Sequence, residues 1–431
     1  MRRSKARRAI LSCALTAALG LAGAAVAQPA SPIRGAAQDY APLLSAARPS
    51  TFVLLGESTH GTREFYLERA RITAGLLEDP QVRGVAIEGD WSGAHRANLY
   101  VRGLGPDRTA EAALSDFRQF PTWMWRNGEF RDFVEALRRI NLTRPPEARV
   151  GLYGLDVYDV FDAADAVVAG LAAVAPDAGA QAKAQYQCFG RYRRSMERYA
   201  VATREGRSCR RAAEAVLAQV QALPPPPHAD AEARERRFGL LRAAATVVGG
   251  EEYFRVSQST GYAWNARDRR MAEAATQISA HLARDGRPGR VAIWAHNTHI
   301  GDARETSQRD RGELSLGQLL RQRGGAFLVG FLADEGEVMA AEVWDGRPRV
   351  FPLGPVIPES HEARLRAEGP DAALRLLTPD PASRRRPQRA IGVVYNPRQE
   401  RRAHYIDARL DHQFDAVVYL RRTSAVTPVS R

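Results

Sequence analysis

Short apolar runs, several of them rich in β-branched residues, recur along the chain and alternate with segments of helical periodicity. This alternation is typical of a sheet whose faces are covered by helices. The runs are almost continuously apolar, as expected of strands buried on both sides. They predict strands at residues 51–55, 85–87, 150–155, 291–294, 327–332, 391–395 and 417–420. The expected fold class is a layered α/β core with a mostly parallel or mixed central sheet.

The pattern changes between residues 160 and 280, where long stretches rich in Ala, Arg and Glu replace the β-branched runs. These compositions favour helices, and a run of prolines at 224–227 separates two of the stretches. We expect a helical insertion over 160–280 that covers or flanks the sheet.

The first residues form a basic segment followed by an apolar run that ends in Ala25-Val26-Ala27. This order is typical of a secretory signal peptide, here residues 1–27. A permanent membrane anchor is the alternative, but Gly20 and Gly23 interrupt the run and a small-residue cleavage site closes it. We therefore predict a periplasmic or secreted domain over 28–431, with no stable membrane insertion after cleavage.

Export changes the interpretation of the cysteines. Removal of the leader leaves Cys188 and Cys209, which lie in the same polar, Arg-rich helical region. One disulfide between them is possible outside the cytoplasm, and an unpaired exposed thiol would be a liability there. We predict that they are bonded.

The net charge of +13 does not indicate a nucleic-acid partner. The leader contributes five of these charges, which leaves +8, and nearly all the remaining cations are arginines scattered among acidic residues. The densest cluster, 384–386 with Arg389, lies between prolines and lacks interleaved aromatic residues. We expect a solvated loop there rather than a binding patch.

Candidate chemistry lies just after the predicted strands, where open α/β sheets bind their ligands. Carboxylates or imidazoles follow four of these strands: Glu57 and His60, Glu88 and Asp90, Asp156, and His296 with His299. Each residue alone has an ordinary explanation, such as a loop charge or a core histidine. Carboxylates are rarely buried unless paired, however, so their convergence on one edge of a sheet predicts a shared polar cleft.

The nucleophile can be narrowed by elimination. The nearest approach to a Gly-x-Ser-x-Gly elbow begins at Gly56, but His60 stands where the second glycine is needed. Neither mature cysteine follows a strand, which argues against thiolate catalysis. An activated water remains, with histidine as its base and a carboxylate as partner of that histidine.

A metal site is the alternative explanation of the same side chains. His296 and His299, with Glu57, His60 and Glu88, offer nitrogen and oxygen ligands suited to zinc or manganese. There is no His-Glu-x-x-His helix in the sequence, and His296 and His299 follow a strand. We predict no metal and no cofactor.

At these residues the chain resembles the erythromycin esterase family. The resemblance rests on three motifs in order, at 56–61 (Gly-Glu-x-x-His-Gly), 86–91 (Ala-x-Glu-x-Asp-Trp) and 294–299 (Trp-Ala-His-Asn-x-His). It extends through segments 120–125, 264–268, 311–313 and 390–395, and so covers nearly all of the mature chain.

The resemblance implies a hydrolase that cleaves a carboxylic ester or a macrolide lactone without a metal, with His60 as the base that activates water. It also implies functional roles for Glu57, Arg69, Glu88, His296 and His299. We assign Trp91, Asp156 and Trp123 to binding of the small-molecule ester or lactone. The alternatives are a metal-dependent hydrolase, and a non-catalytic periplasmic binding or envelope-glycan protein with the same cleft. A role in antibiotic resistance follows only if the substrate is a macrolide.

Overall fold

A computed structural model describes residues 30–192, 194–224, 230–257 and 262–429. Within them the strands are β1 (Ser31–Pro32), β2 (Phe52–Leu55), β3 (Val82–Asp90), β4 (Gly151–Asp156), β5 (Arg290–Trp294), β6 (Ala326–Ala340), β7 (Arg349–Pro352), β8 (Ala372–Leu376), β9 (Arg386–Arg389), β10 (Tyr405–Ala408) and β11 (Ala416–Thr423). The predicted signal peptide lies outside the described residues. No helix among the described residues is long and apolar enough to cross a membrane.

Helices fill most of the intervals between the strands. They are α1 (Ala41–Ala47), α2 (Arg63–Leu76), α3 (Trp91–Val101), α4 (Ala110–Ala113), α5 (Thr122–Trp125), α6 (Gly128–Leu142), α7 (Val160–Val174), α8 (Pro176–Gly190), α9 (Met196–Thr203), α10 (Arg210–Ala222), α11 (Ala231–Val256), α12 (Tyr262–His281), α13 (Asn297–Ile300), α14 (Leu316–Gln322), α15 (His361–Glu368), α16 (Glu400–Ala403) and α17 (Leu410–Gln413).

Nine of the described strands form a mixed sheet in the order β1-β8-β11-β6-β2-β5-β3-β4, with β7 paired to β6, and β9 and β10 form a separate two-stranded sheet. The six strands from β11 to β4 in this order are parallel to one another, whereas β1, β7 and β8 pair antiparallel. The expected α/β class with a mostly parallel, mixed sheet is confirmed. Strands β2, β5, β3 and β4 are consecutive neighbours, so the ends that carry the candidate residues lie side by side.

Alternate side chains of the strands enter two separate cores, one on each face of the sheet. Val53 and Leu55 of β2 join the core formed with α2 and α6, while Phe52 and Leu54 join the core formed with α7, α11 and α12. Both faces are therefore covered, which explains why the strands are apolar at almost every position.

The segment predicted as a helical insertion contains α7 to α11 and nearly all of α12, in the parts of 160–280 that the structure describes. Helices α7, α11 and α12 share their core with Leu155 of β4 and Ile293 of β5. These helices therefore form one face of the layered domain. Cys188 at the end of α8 is bonded to Cys209, which precedes α10.

Two expectations are wrong. Residues 391–395 form isolated bridges rather than a strand, because the amide of Ile391 donates to Ser58 and that of Tyr395 donates to Ala341. These bonds tie the segment across two different loops. Arg389 is not solvated either: it lies in β9, is fully buried, and its Nε donates to Glu400 Oε1 at 2.8 Å.

Candidate active site

The four predicted strand ends meet at one edge of the sheet. Glu57 follows β2, Glu88 lies near the end of β3, Asp156 ends β4 and His296 follows β5. All four are less than 5% exposed. Because these strands are neighbours, their carboxyl ends bring three carboxylates and an imidazole into a single buried cluster.

The loop after β2 is shaped by two glycines. A side chain at Gly56 would place Cβ 2.0 Å from Asn297 Oδ1, and one at Gly61 would place Cβ 1.9 Å from the carbonyl oxygen of Met339. Neither neighbour leaves room for a larger residue. The loop is thereby held against the ends of β5 and β6, and it carries Glu57 and His60 into the cluster.

The carboxylate of Glu57 contacts both the imidazole of His60 and the guanidinium of Arg69. Its Oε1 lies 2.9 Å from His60 Nδ1, and its Oε2 lies 2.8 Å from Arg69 Nη2. Glu57 and Arg69 are fully buried, and the guanidinium also stacks on the rings of Tyr66 and Trp294, 4.5 and 4.9 Å from their centroids. A buried carboxylate needs such a charge partner.

This contact determines the tautomer of His60. An ionised carboxylate can only accept hydrogen bonds, so Nδ1 of His60 carries the proton that is donated to Glu57. The neutral ring then has an unprotonated Nε2. His60 lines the cleft, whereas Glu57 and Arg69 lie behind it. The arrangement presents a proton acceptor to a molecule bound in the cleft.

His296 is held in the other neutral tautomer. Its Nδ1 accepts a hydrogen bond from the amide of Thr298 at 3.3 Å and lies 2.8 Å from the Thr298 hydroxyl. The ring proton therefore resides on Nε2, which is buried and has no hydrogen-bond partner of ordinary geometry among the described residues, although the backbone of Ser58 interacts with the ring. Burial, reinforced by His60 with its ring centroid 4.8 Å away, lowers the pKa of His296 to about 3. The ring is a neutral donor beside the acceptor of His60.

Glu88 orients this donor through the backbone. Its Oε2 accepts a hydrogen bond from the amide of His296 at 2.8 Å, and its Oε1 accepts one from Arg267 Nη2 at 2.7 Å. Burial alone would raise the pKa of Glu88, but the nearby charges of His299 and Arg267 outweigh it and hold the pKa below its usual range. Glu88 is therefore an anion whose two oxygens are already engaged.

Arg267 joins the ends of two strands. Its Nε and Nη2 bind the two oxygens of Asp156 at 2.9 and 2.6 Å, in addition to the contact with Glu88. Bidentate pairing of this kind fixes a carboxylate in one orientation. The predicted site residue Asp156 thus lies in the cleft, but its oxygens are engaged by Arg267 and it acts with Glu88 as an anchor for that guanidinium.

His299 completes the cluster from the other side of Arg267. Its Nδ1 lies 2.9 Å from Asp268 Oδ2, its Nε2 lies 2.8 Å from Arg267 Nη1, and Trp264 stacks on the ring with centroids 4.3 Å apart. Burial lowers the pKa of His299, but Asp268 and Glu88 more than reverse this, so the pKa is raised. Both ring nitrogens are occupied, which makes His299 part of the scaffold.

Trp91 and Trp123 do not line the cleft that holds His60 and His296, and their assignment to substrate binding stays a prediction. Trp91 is the first residue of α3, is 1% exposed, and stacks on His95 and Tyr153 within the core. Trp123 is 2% exposed in the core on the opposite face. In both cases the helix that begins beside the cleft turns the indole inward.

The cleft itself has a volume of about 450 Å³, and aromatic rings form much of its lining. Sequence reasoning gave no role to the cleft residues Phe120, Trp125, Tyr158, Tyr253, Trp264, Arg267 and Trp344. A larger cavity of about 1240 Å³ lies among α3, α7 and α11, but its lining does not include Glu57, His60, Glu88, His296 or His299. The chemistry therefore belongs to the smaller cleft.

The donor set does not fit a metal ion. Within the described ranges, no three His, Cys, Asp or Glu side chains form a group that could hold one. The carboxylates of Glu88 and Asp156 already share the guanidinium of Arg267. A cation at that point would have to displace Arg267.

Comparison with known proteins identifies a family. A model of the erythromycin esterase family matches residues 78–423. The match includes Glu88, Asp156, Arg267, His296 and His299. It begins after the loop that carries His60, so the first motif is supported by the geometry rather than by this match.

Solved structures of similar fold cover most of the chain. A succinoglycan biosynthesis protein and a protein from Bacillus cereus each have a TM-score of 0.74 at 18% identity, over 93% of this chain and 96% and 97% of theirs. A mutant of the erythromycin esterase EreC in its open conformation has a TM-score of 0.62 at 16% identity, over 89% of this chain and 93% of that one. At these identities the likeness is one of fold.

Proposed function

The chain belongs to the erythromycin esterase family, which implies a hydrolase, and from this premise we propose that it cleaves a carboxylic ester or lactone with water activated by His60. The observation that carries the proposal is the buried series Arg69, Glu57 and His60, which ends at the unprotonated Nε2 in the cleft. This is the arrangement required of a general base whose partner carboxylate stabilises the imidazolium.

The proposed reaction has two steps. In the first, Nε2 of His60 takes a proton from water as the water oxygen bonds to the carbonyl carbon, while Glu57 stabilises the imidazolium. The oxyanion that forms accepts a hydrogen bond from Nε2 of His296, the buried donor without a hydrogen-bond partner of ordinary geometry among the described residues. In the second, the ester C–O bond breaks and the proton held by His60 passes to the departing alkoxide oxygen.

The remaining members of the cluster are positioning residues in this proposal. Glu88 holds the backbone of His296, and Arg267 ties Glu88 to Asp156 and His299. Their heteroatoms are occupied by one another, so they have no free atom for proton transfer. Their effect on the rate is exerted through the position of the His296 ring.

The test is turnover of a panel of p-nitrophenyl esters, lactones and macrolides by the protein and by His60→Asn. We expect hydrolysis of some panel members and a loss of at least about 10²-fold in the variant, as for removal of a general base. His412→Asn, remote from the cleft, is the matched control and should keep its activity. An active His60→Asn variant would refute the role of His60.

Two further measurements would distinguish the alternatives from this proposal. Loss of activity after prolonged chelation, restored by one added metal, would assign the chemistry to a metal-dependent hydrolase. Tight binding of a panel member without turnover would indicate a binding protein that uses the same cleft. Cleavage of macrolides, followed by resistance of cells that produce the protein, would identify an antibiotic substrate.

The site of action follows from a separate proposal, that the protein works in the periplasm or outside the cell. The N-terminal pattern at 1–27 supports it, as does the bond between Cys188 and Cys209, because disulfides persist in oxidising compartments. N-terminal sequencing of protein from the periplasm or culture medium should begin at Gln28. An intact N-terminus in the cytoplasmic fraction would contradict the prediction.

A further inference from the structure

An exposed aromatic pair stands among the cleft residues. Trp344 lies in the turn between β6 and β7 and is 59% exposed, and its ring meets Phe120 edge-on with centroids 5.0 Å apart. Both rings line the same cleft as His60 and His296. The pair is assigned no role by the mechanism above.

Trp344 is much more exposed than most of the aromatic rings that line the cleft. The other large aromatic rings around the cleft are mostly enclosed, whereas Trp344 and its neighbour Val343, 64% exposed, present apolar surface to solvent. Tryptophan can bury about 150–250 Å² when it is covered. An exposed apolar patch that continues into a cleft is typical of a surface that a ligand covers.

The charges of the cleft restrict what that ligand is. Glu88 and Asp156 share Arg267, and Arg311 pairs with Glu313 at 2.7 Å, so each of these ionised groups already contacts a group of opposite charge. They offer little attraction to a strongly charged substrate. The part of the ligand near Trp344 is better matched by an uncharged apolar group.

We propose that Phe120 and Trp344 form an aromatic subsite that binds an extended apolar group of the substrate, remote from the bond that His60 cleaves. This rests on the proposed hydrolase function and adds a selection among its substrates: uncharged esters that carry a ring at the end of an acyl chain. Stacking of that ring on Trp344 lowers KM for such esters and leaves compact ones unaffected.

The test compares two esters with the same leaving group, p-nitrophenyl 4-phenylbutanoate and p-nitrophenyl acetate. In Trp344→Ala, kcat/KM for the phenylbutanoate should fall by about 10- to 100-fold, mainly through KM, while the acetate rate stays within about twofold. Trp344→Phe should restore much of the loss, and Val201→Ala, an exposed apolar residue on α9, is the matched control. Equal losses on both esters, or none on either, would overturn the subsite.

A binding measurement separates failure of this subsite from failure of the hydrolase proposal. If the protein cleaves neither ester, calorimetry with the uncleavable 4-phenylbutanamide still tests the subsite. Weaker binding of the amide by Trp344→Ala and by Phe120→Ala would support it. Equal affinity in the variants, or no binding by the unaltered protein, would overturn it.

Discussion

Replacement of Glu57 by glutamine tests the proposed base most directly. Glutamine keeps the shape and the oxygen that faces His60 Nδ1, 2.9 Å away, but removes the negative charge. Two unit charges about 4 Å apart interact by about 4 kcal/mol at an effective dielectric constant of about 20. Only part of the imidazolium charge has formed in the transition state, so we expect kcat to fall by about 10² to 10³.

The same substitution disturbs Arg69, and this effect must be measured separately. Without the charge of Glu57 the buried guanidinium keeps the carbonyl oxygen of Phe65, 3.2 Å from its Nε, and the rings of Tyr66 and Trp294. Breaking a buried ion pair costs about 3–5 kcal/mol of folding stability. Urea unfolding of Glu57→Gln gives this loss, and rates are then compared at temperatures where each variant is fully folded.

The double variant decides whether the two residues act as one unit. If Glu57 works only through His60, then Glu57→Gln with His60→Asn should be scarcely slower than the worse single variant, because the shared function is already absent. Rate losses that multiply would show independent roles and would refute the Glu57–His60 base.

Three further outcomes are expected. Arg267→Met should lower activity and cost about 3–5 kcal/mol in urea unfolding, because two buried carboxylates lose their shared cation; unchanged stability would contradict the ion network. Burial lowers the pKa of His296 to about 3, so the free energy of unfolding should fall by about 1.4 kcal/mol per pH unit as the pH falls from 6.5 towards 3. Unfolding of His296→Asn should lack this slope. Replacing Cys188 and Cys209, 21 residues apart, by serine should cost about 3 kcal/mol, checked against reduction of the unaltered protein.

The strand ends were predictable because the signal is local. Four of the seven apolar runs end just before Glu57, Glu88, Asp156 or His296, and parallel strands end at one edge of a sheet, so these four residues were expected to meet. The antiparallel edge was harder to predict. Strand β8 contains Arg375 and lacks a continuous apolar run, and residues 391–395 have such a run but are bonded across two loops.

The arginine that pairs with Glu88 and Asp156 could not be predicted from the spacing of residues in the sequence. Arg267 lies 111 positions after Asp156 and 179 after Glu88, on helix α12 of the segment expected to be an insertion. Its pairing depends on how α12 packs on the sheet, which no local pattern specifies. Trp91 shows the converse: it follows Asp90, which lines the cleft, yet its indole packs in the core because α3 begins there.

The different roles proposed for His60 and His296 follow from the atom that each glutamate contacts. Glu57 bonds to the ring of His60, so it can stabilise a proton gained there, whereas Glu88 bonds to the backbone of His296 and leaves that ring neutral. The ring centroids are 4.8 Å apart, so placing a positive charge on both imidazoles is costly. Burial lowers the pKa of His296, so that ring stays neutral. In the proposed mechanism one ring therefore accepts the proton and the other donates a hydrogen bond, because the two neighbouring imidazoles lie in different environments.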